Sequence, residues 1–400
     1  MRNCFKALQF LGSMSFYFVA QVVYANDFSA YLGLEARYFF NEPLWLEQDE
    51  HSASLSGYFE YYKDLGEGGQ RVVVSGFGRV DSADDNRTHL DAREAYWWAD
   101  LSGAELFLGV RKIFWGVTES IHLVDVINQD DLVENIDGED KLGQPMLEAQ
   151  FIRDWGTIDV FVLPYFREKT FPSESARLRA GVPILDDAVY QSDKEEHHVD
   201  LALRWSTYVD IWDIGISHFS GTNRDPLLLP HVVDGVFVGL MPHYQQIEQT
   251  GLDVQATINA WLLKLEAISV HEEEYGRNTA LVGGIEYTFF TLGDTNMDLG
   301  VIAEYQFDDR IGVRKRSGQN DIALGARLAF NDVDATEFLA IFSQDLDDSN
   351  QFVSFETSKR FTDNWRVELE ARFFNHIENG TMEYDLREDD YLQLEVRRYF

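Results

Sequence analysis

Histidines next to carboxylates are the residues in this sequence whose types and spacing come nearest to catalytic chemistry. His198, Asp200 and Arg204 fall on one side of a predicted strand, and His122 precedes Asp125 by three residues. Such neighbours can exchange protons or bind a metal ion. With ten histidines and 69 acidic residues they also arise by chance, and no G-x-S-x-G nucleophile elbow occurs. The sequence therefore predicts no enzyme and no cofactor.

A second candidate for chemistry is the stretch VENIDGEDKLGQ at 133–144, which resembles a calcium-binding loop. It has a central glycine and two possible oxygen ligands, but Val133 replaces the first acid and Gln144 replaces the bidentate last one. These replacements exclude an EF-hand. We assign no metal site, although a looser calcium site among the acids of this region stays open.

The first residues have the pattern of a bacterial-type secretory signal peptide. Arg2 and Lys6 precede an apolar stretch at 7–20, and a small-x-small-like cleavage site at 23–25 precedes Asn26. We expect residues 1–25 to be removed and 26–400 to form a single domain. The only cysteine, Cys4, lies in the removed part, so no disulfide is expected. The net charge of −36 argues against a nucleic-acid partner.

The rest of the chain alternates apolar and polar residues at the period of a β-strand. Residues 28–40 carry apolar side chains on one face and polar ones on the other, and 365–373 alternates with four charged residues. No apolar run of 18 residues occurs beyond residue 25. A secreted soluble β-protein is one interpretation. Charged faces repeated opposite apolar faces favour an all-β, antiparallel, transmembrane up-and-down β-barrel, for which we count about 18 strands (16–18).

The connections between the predicted strands support the barrel. Short links follow the even-numbered strands, and the three longest, near 115–144, 167–195 and 221–243, follow strands 5, 7 and 9 on the same side. An even strand count lets the last strand pair with the first. Phe400 then ends a closing strand and resembles the terminal aromatic signal read by the barrel-assembly machinery, although Arg398 departs from that pattern. Outer-membrane lipid and this machinery are the expected partners.

A barrel of 16 to 18 strands is wide enough to enclose an aqueous channel. Its predicted pore-lining residues are Arg37, Arg71, Arg79, Arg93, Arg111, Arg204, Arg327, Arg366 and Arg372. The third external loop is rich in acids and also contains unusual apolar residues, so we expect an inserted loop that packs against the inner wall. An acidic loop facing arginines would narrow the pore and create a transverse field. Alternatively, the acids form a solvated rim and the arginines only neutralise lumen carboxylates.

One segment carries a resemblance to known proteins. The motif G-x-R-K-x-x-W-G at 109–116, followed by DVINQDD at 125–131, resembles bacterial porins, alginate-export-like barrels and uncharacterised porin-like proteins. The resemblance implies a bacterial outer-membrane location and implies that Arg111, Trp115, Asp125 and Asn128 shape the constriction. The full set of predicted constriction-loop residues is Trp115, Glu119, Asp125, Asn128, Asp130 and Asp131. A P-E-F-G-G-type motif is absent, which leaves the oligomeric state open.

Together these patterns predict an outer-membrane channel for passive diffusion of small hydrophilic solutes. The alternatives are a substrate-specific exporter or importer of an acidic polysaccharide or an aromatic compound, and an outer-membrane enzyme acting through His198 or Asp200. The sequence leaves the solute, the ion selectivity and any gating by the third loop open.

Overall fold

The computed structural model describes residues 28–66 and 69–400. The predicted signal peptide, 1–25, lies outside these residues. Within the described ranges no helix is long and apolar enough to cross a bilayer. The helical segments there are short 3₁₀ turns at Glu195–His197, Leu292–Asp294, Gly312–Arg314 and Met382–Leu386.

Eighteen antiparallel strands form one closed sheet. They are β1 (Phe28–Phe39), β2 (His51–Asp64), β3 (Gln70–Asp81), β4 (His89–Asp100), β5 (Glu105–Arg111), β6 (Gln144–Arg153), β7 (Gly156–Leu163), β9 (Asp200–Val209), β10 (Trp212–Thr222), β13 (Gln246–Ile258), β14 (Trp261–Glu272), β15 (Gly276–Phe289), β16 (Asp298–Asp308), β17 (Asn320–Ala329), β18 (Glu337–Asp345), β19 (Gln351–Thr362), β20 (Trp365–Asn375) and β21 (Tyr391–Tyr399). A smaller sheet contains β8 (Val189–Tyr190), β11 (Leu227–Val233) and β12 (Val236–Tyr244).

The last strand closes the barrel, as the even strand count predicted. β1 pairs with β2 on one side and with β21 on the other, in a register that places Tyr31 opposite Tyr399 and Phe39 opposite Tyr391. The backbone N–H of Phe400 donates to the carbonyl of Ala30 at 2.9 Å. Neither terminal strand therefore presents an unpaired edge, which a membrane interior would not tolerate.

Side chains alternate between the two surfaces of the wall. Along β1, Leu32 and Leu34 are exposed outward, while Glu35 and Arg37 are buried inward. Exposed aromatic residues stand near the short turns of the periplasmic side: Trp155, Tyr208, Trp212, Trp261, Phe289, Phe290, Phe361 and Trp365. An apolar outer surface with an aromatic girdle is the surface of a membrane-spanning barrel of the outer-membrane type.

The longest connections share the opposite, external side. Loop 3 covers residues 112–143, loop 4 covers 164–199 and loop 5 covers 223–245. Loop 3 begins earlier than the pattern predicted because β5 stops at Arg111. Loops 4 and 5 contain the smaller sheet, whose β11–β12 hairpin turns at Asp234 and Gly235, both with positive φ, as a type I′ turn requires.

Part of the lumen is filled by an apolar core, although the alternation predicted that the polar face of each strand lines the lumen. Its members are Trp115, Val124, Val126 and Ile127 of loop 3 together with Met146, Phe161, Leu163, Ala202, Phe219, Ile247, Ile268, Val270 and Ala280 of the wall. Loop 3 is thus packed against the inner surface of β6, β7, β9, β10 and β13–β15.

Candidate constriction site

One buried amide side chain joins the two ends of loop 3, near residues 111–113 and 142, which we call the neck of the loop. Asn128, 1% exposed, donates from Nδ2 to the carbonyl oxygens of Arg111 (2.9 Å) and Leu142 (2.8 Å). Its Oδ1 accepts the backbone N–H of Ile113 at 2.8 Å. A single side chain therefore joins the end of β5 to the segment that enters β6, and it holds loop 3 to a fixed point on the wall.

A second internal link lies next to this neck. Asp125 Oδ1 accepts the backbone N–H of Trp115 at 3.2 Å, and Asp125 Oδ2 lies 3.2 Å from Lys141 Nζ. Lys141 also contacts Asp130 at 2.5 Å, and Lys169 of loop 4 reaches Asp130 at 3.1 Å. These contacts fix the fold of the loop itself and join it to loop 4.

Trp115 fastens the loop to the wall by apolar contact. Its ring is buried and packs edge-on against Phe161, with centroids 5.7 Å apart. The guanidinium of Arg204 lies 5.1 Å from the same ring and donates two hydrogen bonds of 2.7 Å to Asp253. Packing against the wall removes the indole of Trp115 from water, which explains why this loop carries large apolar side chains.

On the β14–β16 side, two wall carboxylates receive the loop backbone. Glu266, which is 0% exposed, accepts from Val117 N (2.7 Å), Thr118 N (3.0 Å), Thr118 Oγ1 (2.7 Å) and Val124 N (3.2 Å). Glu304 accepts from Glu119 N and Ser120 N, both at 2.8 Å. Hydrogen bonds to ionised acceptors are the stronger class, so these six bonds anchor the segment 117–124.

Glu119 adds an ion pair on the same side. Its carboxylate bonds to Arg327 of β17 and lies 3.7 Å from Lys264 of β14. Lys264 also lies 3.4 Å from Glu286 of β15. Glu119 is therefore held by cations on two strands, β14 and β17.

The opposite side of the barrel, at β3, β4 and β20, holds the second half of the loop. Asp131 pairs with Arg93 at 2.6 Å, Glu134 with Arg79 at 2.8 Å, and Asp137 with Arg372 at 2.7 Å. Because residues 117–120 contact β14, β16 and β17 while 131–137 contact β3, β4 and β20, loop 3 reaches both sides of the lumen.

The loop acids and the wall arginines thus meet in direct contact. The sequence predicted two arrays facing each other across a gap, but Glu119, Asp131, Glu134 and Asp137 each touch an arginine. Paired charges largely cancel at a distance, so a transverse field of the predicted kind is weakened. These ion pairs instead hold loop 3 in position, because removing one partner of a buried pair leaves an uncompensated charge at a cost of about 3–5 kcal/mol.

Four other predicted pore-lining arginines form no ion pair with loop 3 among the described residues. Arg111 pairs with Glu148 inside the barrel, and Arg37 donates to Gln393 at 2.8 Å. Arg71 lies at the periplasmic mouth, bonded to Asp64 at 2.7 Å, and Arg366 bonds to Glu368 at 2.9 Å. Of the nine arginines, the structure brings Arg79, Arg93, Arg327 and Arg372 into contact with loop 3 by ion pairing.

Two titratable groups of the loop have displaced pKa values. Burial disfavours charge on His122, but the carboxylates of Glu139 (2.8 Å) and Glu266 outweigh it and raise the pKa of His122 to about 10. Desolvation by the surrounding lumen and the neighbouring carboxylates of Glu134 and Asp137 raise the pKa of Asp140 to about 7. At neutral pH the imidazole is therefore a cation that binds the loop to the wall.

The histidine–carboxylate neighbours of the sequence have structural partners. His198 Nδ1 lies 2.8 Å from Asp200 Oδ1, and Asp200 also accepts from Thr222 N at 3.0 Å and pairs with Arg224 at 2.7 Å. Arg224 donates onward to the carbonyl of Ile127 in loop 3. These contacts make Asp200 a buried acceptor that positions a second loop anchor.

The anchors Glu266, Glu304 and Arg224 were missed by the sequence analysis. Glu266 and Glu304 stand on the polar faces of clear alternating strands, so they were recognisable as lumen residues. Nothing in a single strand indicates that a carboxylate will receive the backbone of a loop more than a hundred residues away.

No protein-family model matches the chain, and no curated protein matches it. Among solved structures it is similar to Wzi, an outer-membrane protein of Escherichia coli involved in group 1 capsule assembly and described as a carbohydrate-binding β-barrel (10% identity, 92% of this chain and 83% of that chain, TM-score 0.52). It is similar to a BenF-like porin from Pseudomonas fluorescens (9%, 94% and 98%, 0.54). A mutant porin of Rh. blastica also matches (11%, 93% and 99%, 0.44).

At these identities the likeness concerns the fold. The first two neighbours share the closed, antiparallel barrel architecture, and the outward apolar surface and aromatic girdle described above belong to the same class. The chain therefore has the fold of a bacterial outer-membrane, porin-like β-barrel.

Proposed function

We propose that this barrel is an outer-membrane channel through which small hydrophilic solutes diffuse passively, with loop 3 as a fixed constriction. The observation that carries the proposal is the anchoring of loop 3 on two sides of an 18-stranded lumen. A barrel of this strand number is wide enough for an aqueous passage, and a loop held on both sides sets the width of that passage without closing by itself.

The passage is proposed to run along β17–β20, between the two points at which loop 3 is fixed to the wall by the Glu119–Arg327 and Asp137–Arg372 pairs. Lumen-facing charged side chains there remain open to solvent: Arg327 is 41% exposed, Glu356 43% and Arg366 34%. On the opposite arc, Lys264 and Glu266 are buried beneath the loop. Exposed charges of both signs make this arc suitable for hydrated solutes.

The test is single-channel conductance in a planar bilayer, with the reversal potential measured in a salt gradient. Removing one lumen charge changes the local ion concentrations in the passage. We expect Glu356→Gln to shift the reversal potential towards anion selectivity and Arg366→Gln to shift it towards cation selectivity. Glu248→Gln is the matched control, because Glu248 lies on the outward face beside His218.

Opposite shifts in the two lumen variants and none in the control support a channel along this arc. A silent bilayer from barrels that are folded and heat-modifiable in gel electrophoresis contradicts passive diffusion. Equal behaviour of all three variants in an open channel contradicts the assigned path.

A barrel that selectively binds and moves one solute class is the second candidate. It is favoured by the apolar core that fills part of the lumen beneath loop 3, and the Wzi neighbour is described as carbohydrate-binding. An acidic polysaccharide and an aromatic compound are the two substrate classes to compare. Conductance that one of these classes blocks, or a silent bilayer with saturable binding, favours this candidate.

A further inference from the structure

A cavity of about 210 Å³ lies on the external side of the protein, outside the lumen contacts of loop 3. Its walls come from the small sheet of loops 4 and 5 and from the β14–β15 turn at 273–275. Tyr190, His243 and Gln245 lie on the sheet side, and Glu274 and Tyr275 on the turn side. The cavity is smaller than the ~300 Å³ at which sites for drug-sized ligands begin, so it has room for a single small ring.

The walls are held in place by their own contacts. Gln191 Nε2 donates to Glu273 at 2.9 Å, and Gln191 Oε1 accepts the backbone N–H of Gln246 at 2.8 Å. The rings of Tyr190 and Tyr244 stack with centroids 5.4 Å apart. The sheet and the turn are thus joined across the cavity, which preorganises it and lowers the cost of ordering on binding.

One polar atom in the cavity wall has no partner among the described residues. Gln245 is 8% exposed, and its side-chain oxygen Oε1 is buried without a hydrogen-bond donor. Buried acceptors are nearly always satisfied, so this oxygen calls for a donor from water or from a ligand. Either one reaches Oε1 from the cavity only when the amide turns towards it, because in its present rotamer that atom has almost no solvent-accessible surface.

Aromatic rings provide the second element of recognition. Tyr190 and Tyr275 both line the cavity, and the guanidinium of Arg314 lies 4.6 Å from the Tyr275 ring centroid. Because Arg314 covers one face of the Tyr275 ring, a ligand can pack on the other face. Tyrosine rings offer apolar area together with a polar edge, which suits a ligand that has C–H faces and hydroxyl edges.

The charges of the lining restrict the ligand further. In the described part of the chain, no lysine or arginine lines the cavity. Burial lowers the pKa of His243, so this imidazole is neutral at physiological pH and offers one donor and one acceptor. Glu274 is the only acid among the described residues of the lining, and it disfavours an anion. An acidic sugar or a carboxylate-bearing aromatic compound therefore fits this cavity poorly.

We propose that this external cavity is a binding site for one neutral sugar ring, which packs on Tyr275 and donates a hydroxyl to Oε1 of Gln245 after that amide has turned towards the cavity. The ring can be a free monosaccharide or the end of a neutral glycan chain, since both present the same chemistry. The site is separate from the proposed passage, so its failure and the failure of the channel proposal give different results.

The test is a titration of the full-length barrel, followed by saturation-transfer NMR on the ligand. The detergent must not be a sugar detergent, because maltoside or glucoside headgroups would compete. The probes are glucose, galactose, N-acetylglucosamine and maltotriose, with glucuronate and benzoate as charged counterparts. We expect saturable binding of at least one neutral probe and weaker binding of both charged probes. A preference for maltotriose over glucose indicates a chain end as the source, and the reverse indicates a free sugar.

Variants locate the binding. We expect Tyr275→Ala and Gln245→Leu each to weaken binding by roughly tenfold. This is the lower end of the effect expected when a stacking surface or the hydrogen-bond partner of a hydroxyl is removed. Tyr275→Phe keeps the ring and should retain binding. Tyr384→Ala is the matched control, because Tyr384 also lies on the external side with an arginine, Arg387, over its ring, and it does not line the cavity.

The absence of saturable binding by every neutral probe overturns the proposal and leaves water as the partner of Gln245. Binding that Tyr275→Ala and Gln245→Leu leave unchanged also overturns it, as does tighter binding of benzoate or glucuronate.

Discussion

Replacement of Glu266 tests whether wall carboxylates hold loop 3 in the lumen. Glu266→Ala removes the acceptor of four hydrogen bonds from Val117, Thr118 and Val124. Bonds to a charged group contribute about 1.5–3 kcal/mol each. Since lumen water can replace part of this once the segment moves, we expect docking of 117–124 to weaken by about 2–4 kcal/mol in total.

Hydrogen exchange followed by mass spectrometry measures this directly, because amides of a docked segment exchange through local opening. A loss of about 2–4 kcal/mol corresponds to exchange of the 117–124 peptide about 30- to 1,000-fold faster, at about 1.4 kcal/mol per factor of ten. Glu266→Gln keeps one oxygen where three of the four donors converge, so it should accelerate exchange about tenfold.

The control is Glu248→Ala, which removes a carboxylate from the outward face and should leave the loop peptide unchanged. Exchange of 117–124 in folded Glu266→Ala within threefold of the wild-type rate would refute the reasoning. The segment 117–124 would then be held by the apolar core, by Glu304 and by the Glu119–Arg327 pair.

Three further predictions concern the loop neck, its pH dependence and assembly. Asn128→Ala should lower the free energy of unfolding by about 3 kcal/mol, because three hydrogen bonds at a buried site are lost. Urea unfolding of the refolded barrel measures this loss, and Asn364→Ala at a periplasmic turn is the control. Docking of loop 3 should weaken as pH rises from 7 to 10. The pKa of His122 is about 10 in the folded loop and 6.5 when the side chain is free. The stabilisation by the imidazolium is therefore fully present below pH 6.5 and is lost as pH rises through 10. Exchange of the 117–124 peptide, corrected for intrinsic rates, reports it, and His122→Gln should flatten the profile; a wild-type profile that is already flat contradicts the role of His122. Phe400→Ala should leave refolding in detergent unchanged, because the residue is 62% exposed. It should lower the amount of barrel in outer-membrane fractions of cells. Equal amounts of wild type and variant would contradict the role of Phe400 as an assembly signal.

The barrel was predictable because its strands repeat a local rule. In β1 and β20, apolar and polar residues alternate over a full membrane crossing, and the alternation alone gives the strand and its outer face. The count of 18 and the grouping of the long loops on one side followed from summing such segments, and the structure confirms both. β8, β11 and β12 were missed, because they lie inside loops and lack a long alternating pattern.

Tertiary structure decided what the lumen contains. Inward residues of β13–β15 such as Ile247, Ile268 and Val282 are apolar, but their strands are apolar on the outer face as well, so the sequence gives no sign of which apolar positions meet loop 3. The pairing of Glu119 with Arg327, and of Asp137 with Arg372, joins residues more than 200 positions apart. Periodicity reports the face on which a charge lies; only the closed barrel and the path of its loop determine which opposite charge it meets, because that depends on distances across the lumen.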